Sequence, residues 1–248
     1  MSLKLRHPLT GLWLTEGPIF QQWLEVPCSK LWLAGIPGGG KTVLAGAMIE
    51  NVLQHETRST AIAFFFCDHI DARSHDTANI LAALASQMAR QNDTAFELMQ
   101  DYYYKLHPRR GLKRSPDVNE LVNLIKALSC EFDQTFIIVD AVDECGDKNQ
   151  VANVIRALKS LVLSRDAQEN TDIGGIINLA LLSRDEDPIR GQLQDEFIYV
   201  QISAHVEDLQ IYTAAEVDRR IRDQLLRIDK QSHKDEIIDQ LVAHADGM

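Results

Sequence analysis

Eight consecutive residues, Gly35-Ile36-Pro37-Gly38-Gly39-Gly40-Lys41-Thr42, fit G-x-x-x-x-G-K-[ST] and constrain the chain more than any other stretch. Their flanks supply the context that the pattern requires. Leu31 to Ala34 is a short apolar run of the kind that makes a buried strand, and Val43 to Val52 has small and apolar residues at helical spacing. Between them, glycines remove side chains that would hold phosphates away from backbone N–H groups. The helix N-terminus adds free donors and the positive end of its dipole. Lys41 is placed to reach β- and γ-phosphates, and the Thr42 hydroxyl to ligate Mg²⁺. A glycine-rich turn before a helix would need neither side chain. The stretch therefore predicts a nucleoside triphosphate site.

Such a site needs a second half, and Thr135 to Val139 supplies it. This apolar strand delivers Asp140-Ala141-Val142-Asp143-Glu144 at its C-terminal end, the edge of a parallel sheet where ligands bind. Asp140 is expected to hold the Mg²⁺ shell opposite Thr42. A carboxylate three or four residues further on is a candidate base to orient an attacking water. Glu144 is the favoured base with Asp143 supporting the metal shell, although the spacing does not separate the two roles. A solvated acidic turn before a helix is the plainer alternative.

The remaining pattern is an alternation of strands and helices. Ala61 to Cys67 reads as a second buried strand, Ile176 to Leu182 as a fourth and Phe197 to Ile202 as a fifth. Asp76 or Thr77 caps a helix with Ile80, Leu81, Leu84 and Met88 in one stripe, and Asp117 caps another with Leu121, Leu124, Ile125 and Leu128. A further helix carries Val151, Val154, Ile155, Leu158, Leu161 and Val162, and from Val206 the pattern is helical to the end. In the opening segment from His7 to Leu24, Trp13, Phe20 and Trp23 are expected to pack on the core. Tyr102 to Arg114 mixes aromatic and basic residues. It suits a small nucleic-acid patch or, better in an acidic chain, a solvated loop between helices. Arg184, after the fourth strand, can pair with a γ-phosphate or with Asp185, Glu186 or Asp187.

Bulk properties narrow the classes. The chain has 248 residues, 45% of them apolar, and 25 basic against 36 acidic side chains give a net charge of −11. That balance argues against a general nucleic-acid or anionic-membrane binder. No stretch is long and apolar enough to span a bilayer, and Met1 to Arg6 lacks a signal-peptide core. Cys28, Cys67, Cys130 and Cys145 are widely spaced, as expected of reduced, mostly buried thiols in a cytoplasmic protein.

The stretches Leu31 to Thr42, Phe64 to Asp68, Ile138 to Cys145 and Leu182 to Arg184, with Thr10-Gly11-Leu12-Trp13 and Phe20-x-x-Trp23 upstream, resemble a NACHT domain. The nephrocystin-like N-terminal type, found in fungal multidomain signalling NTPases of the STAND class, is the most similar. The resemblance implies a nucleotide switch: bound diphosphate keeps it closed and exchange for triphosphate permits assembly. It matches Gly35, Gly40, Lys41 and Thr42 to the family's phosphate loop, Asp140, Asp143 and Glu144 to its metal and hydrolysis motif, and Arg184 to its sensor arginine. Ala141 stands where the family often has glycine, and an arginine common after the second strand is not evident near Ala82.

The expected architecture is α/β: a phosphate-loop NTPase with a doubly wound, parallel five-stranded sheet over residues 1–204. A helical appendage over 205–248 stops where the family continues into a winged helix. Expected ligands are Mg²⁺ with ATP or GTP, and the absence of an Asn-Lys-x-Asp element tilts weakly to ATP. Expected activity is slow hydrolysis, with self-association or partner domains engaging the C-terminal helices. The alternatives are a nucleotide-binding interaction module without turnover and a nucleoside-type kinase.

Overall fold

The computed structural model describes residues 10–54, 59–162, 174–202, 206–228 and 231–244. Five strands, β1 (Lys30–Gly35), β2 (Thr60–Phe66), β3 (Gln134–Asp140), β4 (Ile177–Ser183) and β5 (Ile198–Ile202), form one sheet in the order β2-β3-β4-β1-β5. Every pairing is parallel. The three inner strands are apolar on both faces because helices cover both, the arrangement that parallel sheets require. Side chains alternate between the two layers. Leu31 and Leu33 of β1 meet α1 (Leu12–Thr15), α2 (Pro18–Glu25) and α3 (Lys41–Gln54), with Trp23 and Met48 fully buried among them. Trp32 and Ala34 face the opposite layer of α4 (Thr77–Ala89), α5 (Asp93–Leu106), α6 (Val118–Ser129), α7 (Lys148–Leu161) and α8 (Asp187–Leu193).

Several helix starts follow from the residues that precede them. The Asp76, Asn92, Asp117 and Asp147 side chains each accept from backbone N–H groups of the first turn, and Asp147 with Gln150 closes a capping box. Asn178, buried in β4, bonds Ser29 N–H and the carbonyls of Trp23 and Val26. It thereby fixes the turn into β1 and the phosphate loop beyond.

Strand β2 departs from its expected burial. It is an edge strand, and Phe64, Phe65 and Phe66 are only half-buried. Its free edge is satisfied by two glutamines four residues apart, Gln87 in the last turn of α4 and Gln91 just past its end. Gln91 accepts from Ile62 N–H at 3.0 Å and donates to Ile62 O at 2.7 Å, and Gln87 repeats both bonds with Phe64 at 3.0 and 2.8 Å. The two amides stand in for a sixth strand and blunt an edge open to pairing.

Three further expectations are corrected. Tyr102 to Leu106 is not loop but the last part of α5, which packs Ala95, Leu98, Met99, Tyr102 and Leu106 towards the core while Phe96, Tyr103 and Tyr104 face solvent. The helix α8 within the segment after β4 was also unexpected, and Val162 lies just past the end of α7. The C-terminal region forms two helices, α9 (Val206–Arg222) and α10 (Gln231–Ala243), in line with its helical pattern. His7 to Leu9, and the last residues of the helical pattern from Ala245 onward, lie outside the described residues.

The two terminal helices pack on one another, yet among the described side chains of 206–244 only Val217 is buried. Asp208 of α9 ties the pair to the body, accepting from Gly11 N–H at 2.9 Å and Trp13 Nε1 at 3.2 Å. With so little apolar contact, amides of α10 are expected to exchange more than about tenfold faster than those of β1 and β3 in hydrogen-exchange measurements. Equal protection would contradict this difference in local stability.

Candidate functional site

The site lies at the C-terminal ends of β1, β3 and β4. In the loop after β1, Gly38 and Gly40 have φ of 78° and 83°, the left-handed region that side chains resist. A Cβ on Gly40 would meet nothing within 4 Å, because this backbone faces an open cavity. Gly35 serves a different neighbour: its Cβ would come within 2.9 Å of Ile202 O on β5. The helix α3 begins at Lys41, two residues earlier than expected, so both Lys41 and Thr42 belong to its first turn. Lys41 Nζ donates to Gly35 O and Ile36 O, both at 2.8 Å. Burial draws its pKa below the ordinary lysine value, while the Asp143 and Asp140 carboxylates oppose that shift.

Asp140 ends β3 and is 2% exposed. It accepts hydrogen bonds from the Thr42 hydroxyl and the Ala141 N–H, yet its Oδ1 is buried without a hydrogen-bond partner. An orphaned carboxylate oxygen beside a hydroxyl is the donor set that a hard divalent cation takes, so Thr42 and Asp140 fit Mg²⁺. Ala141 follows with φ 57° and ψ 44°, a left-handed conformation costly for any residue with a Cβ. That geometry accounts for glycine at this place in the resembled family, and it turns the chain so that Asp143 and Glu144 face the cavity.

Asp143, Glu144 and Arg184 converge there. Asp143 Oδ1 accepts from Arg184 N–H at 3.1 Å, and its Oδ2 lies 3.2 Å from Arg184 Nε. Arg184 Nη2 lies 3.5 Å from Glu144 Oε1. The expected surface pairing of Arg184 with Asp185, Glu186 or Asp187 is replaced by this one, and Asp185 bonds Arg190 and Tyr199 instead. Asp143 is engaged by the arginine rather than by the Thr42–Asp140 pair. The cavity, of about 310 Å³, is lined by Pro37, Gly38, Gly40, Lys41, Thr42, Val43, Asp140, Ala141, Asp143, Glu144 and Arg184. One neighbour had no sequence signal: His69, beyond β2, sets Nδ1 3.5 Å from Glu144 Oε2 and 3.7 Å from Asp68 Oδ1.

Comparison with known proteins decides the family. Residues 9–173 match the family model described as nephrocystin 3, N-terminal. The chain belongs to that family. The vegetative incompatibility protein HET-E-1 of Podospora anserina is 27% identical over 245 residues, covering 95% of this chain and 17% of its own length. Together these matches bear out the NACHT-type resemblance. Among solved structures, the Walker-type ATPase PABY2304 of Pyrococcus abyssi superposes with a TM-score of 0.55 at 15% identity, covering 100% of this chain and 68% of that one. The ORC2 protein of Aeropyrum pernix in its ADP form gives 0.50 at 11% identity, covering 91% and 65%. These likenesses confirm the phosphate-loop NTPase fold of this nephrocystin-type domain.

Burying Asp140 has a measurable cost. Burial pushes its carboxyl up to about 6, against the opposing pull of Thr42, Ala141 and Lys41. The folded state therefore holds this proton more tightly than the unfolded chain. Stability from this group is fully present below about pH 4 and is lost as pH rises through about 6, a difference of ~3 kcal/mol. Asp140→Asn is accordingly expected to melt higher than the parent at pH 8, with the gap closing towards pH 4. Equal melting temperatures at pH 8 would show that the buried charge carries no penalty.

Proposed function

We propose that this nephrocystin-type domain binds ATP or GTP with Mg²⁺ and hydrolyses it slowly, as a nucleotide switch. The observation that carries the reading is the convergence of Lys41, Asp140, Glu144 and Arg184 from three strand ends on one cavity, with a buried Asp140 oxygen lacking a partner. Backbone N–H groups of Gly38 to Thr42 and the α3 N-terminus would hold the phosphates. Lys41 would exchange its two carbonyl acceptors for phosphate oxygens, which costs little because the ammonium is already partly buried and in place. Thr42 and Asp140 would hold Mg²⁺, which supplies charge neutralisation on the phosphates when bound.

Glu144 is the group for orienting a water, and Arg184 is the group for sensing the γ-phosphate. In the structure the two are paired with each other, so a triphosphate that draws the Arg184 guanidinium would leave the Glu144 carboxylate free to act. The helices α9 and α10 act in this reading as the arm that relays the state of the site, through the contact of Asp208 with Gly11 and Trp13.

The same Arg184 and His69 contacts favour a second reading, in which Glu144 is held out of action and the domain binds without turnover. Phosphate release from ATP and GTP, with and without candidate hydroxyl acceptors, separates these. Slow release unaffected by acceptors supports the switch. Diphosphate retained with no turnover supports the second reading, and acceptor-dependent consumption would overturn both in favour of a phosphotransferase.

A further inference from the structure

Two of the four cysteines, separated by 78 positions, meet beneath the site. Cys67 follows the last residue of β2, and its N–H donates to Asp140 O at 3.0 Å, so its backbone is fixed to the end of β3. Cys145 ends the short 3-10 turn Val142–Glu144 that carries the acidic pair. Their sulfurs lie 2.8 Å apart, with the Cys145 thiol donating to Cys67, and both cysteines are free. The bond length of a disulfide is ~2.05 Å, so the sulfurs need close by less than an ångström.

We propose that Cys67 and Cys145 form an oxidation site that closes reversibly to a disulfide and staples the turn bearing Asp143 and Glu144 to the end of β2. The oxidant class is a small peroxide, which balances the step. Cys67 is 6% exposed and Cys145 fully buried, so the peroxide meets Cys67 first. The Cys67 sulfur attacks the O–O bond, gains a hydroxyl as sulfenic acid, and one water leaves. The Cys145 sulfur then attacks the Cys67 sulfur, the S–S bond forms, and the hydroxyl departs with the Cys145 proton as a second water. Two thiols are oxidised by two electrons and one peroxide is reduced. Both thiols are buried, so peroxide reaches them slowly. The site therefore answers sustained oxidation, and the exposed Cys130 reacts sooner.

The inference rests on the thiol geometry and is independent of the nucleotide reading. The test is peptide mapping by mass spectrometry of the whole chain after graded hydrogen peroxide, without nucleotide. The expected product is a Cys67–Cys145 linked peptide, two hydrogens lighter than its parts and returned to thiols by dithiothreitol, with slower hydrogen exchange over 142–145. In Cys145→Ala, the expected product is instead a Cys67 sulfenic acid trapped by dimedone. Sulfinic acid on Cys67 beside an unmodified Cys145 in the parent chain would overturn the proposal. So would two intact thiols at a dose that fully oxidises Cys130. The parent chain alone decides these outcomes, whatever the folding of the variant.

Discussion

Lys41→Ala is expected to abolish saturable binding of ATP and GTP in calorimetric titrations. The ammonium is pre-positioned on the carbonyls of Gly35 and Ile36 at the mouth of the loop, and among the described residues the other cation lining the cavity, Arg184, is paired with Asp143 and Glu144. Bonds to charged groups contribute ~1.5–3 kcal/mol each. Losing contacts to two phosphates therefore weakens binding by about 10² to 10⁴-fold. Lys41 lies in the first turn of α3 and is only partly buried, and alanine is a good helix former, so the variant should fold as the parent does, which circular dichroism would verify. Parental affinity in a folded variant would remove the phosphate-loop assignment.

Glu144→Gln is expected to keep nucleotide binding and to slow phosphate release by about 10² to 10⁴-fold, the usual contribution of a positioned base. The amide keeps the shape and contacts of the side chain but cannot take a proton. Asp140→Ala is expected to differ in kind, weakening the Mg²⁺-dependent part of binding, because it removes the oxygen that lacks a partner. Undiminished turnover in the Glu144 variant would move the base to Asp143 or elsewhere.

The parts of the site that were legible in the sequence are those in which chemistry and local structure coincide. The loop before α3 needs glycine, lysine and hydroxyl at fixed spacing, and Asp140 closes the continuous apolar run of β3. Long-range neighbours were not legible. Arg184 reaches Asp143 because β4 inserts between β1 and β3, a strand order that no local pattern encodes. The Cys67–Cys145 contact and the His69 approach to Glu144 depend on β2 lying beside β3, for the same reason. Elsewhere, apolar character misled. The phenylalanines of β2 look like a core strand but lie at an edge, closed by Gln87 and Gln91, which a sequence reading takes for ordinary surface residues. Helix α5 turns Ala95, Leu98, Met99, Tyr102 and Leu106 towards the core, but the exposed Phe96, Tyr103 and Tyr104 blur that stripe in the sequence.

Equilibrium binding of Mg-ATP and Mg-GTP to the unaltered chain, with magnesium-free controls and inorganic tripolyphosphate as competitor, tests the central claim most directly. A phosphate cradle closed by Thr42 and Asp140 predicts one saturable site per chain, tightened by Mg²⁺ and displaced by tripolyphosphate. No saturable binding of either nucleotide, or binding indifferent to both Mg²⁺ and tripolyphosphate, would contradict it.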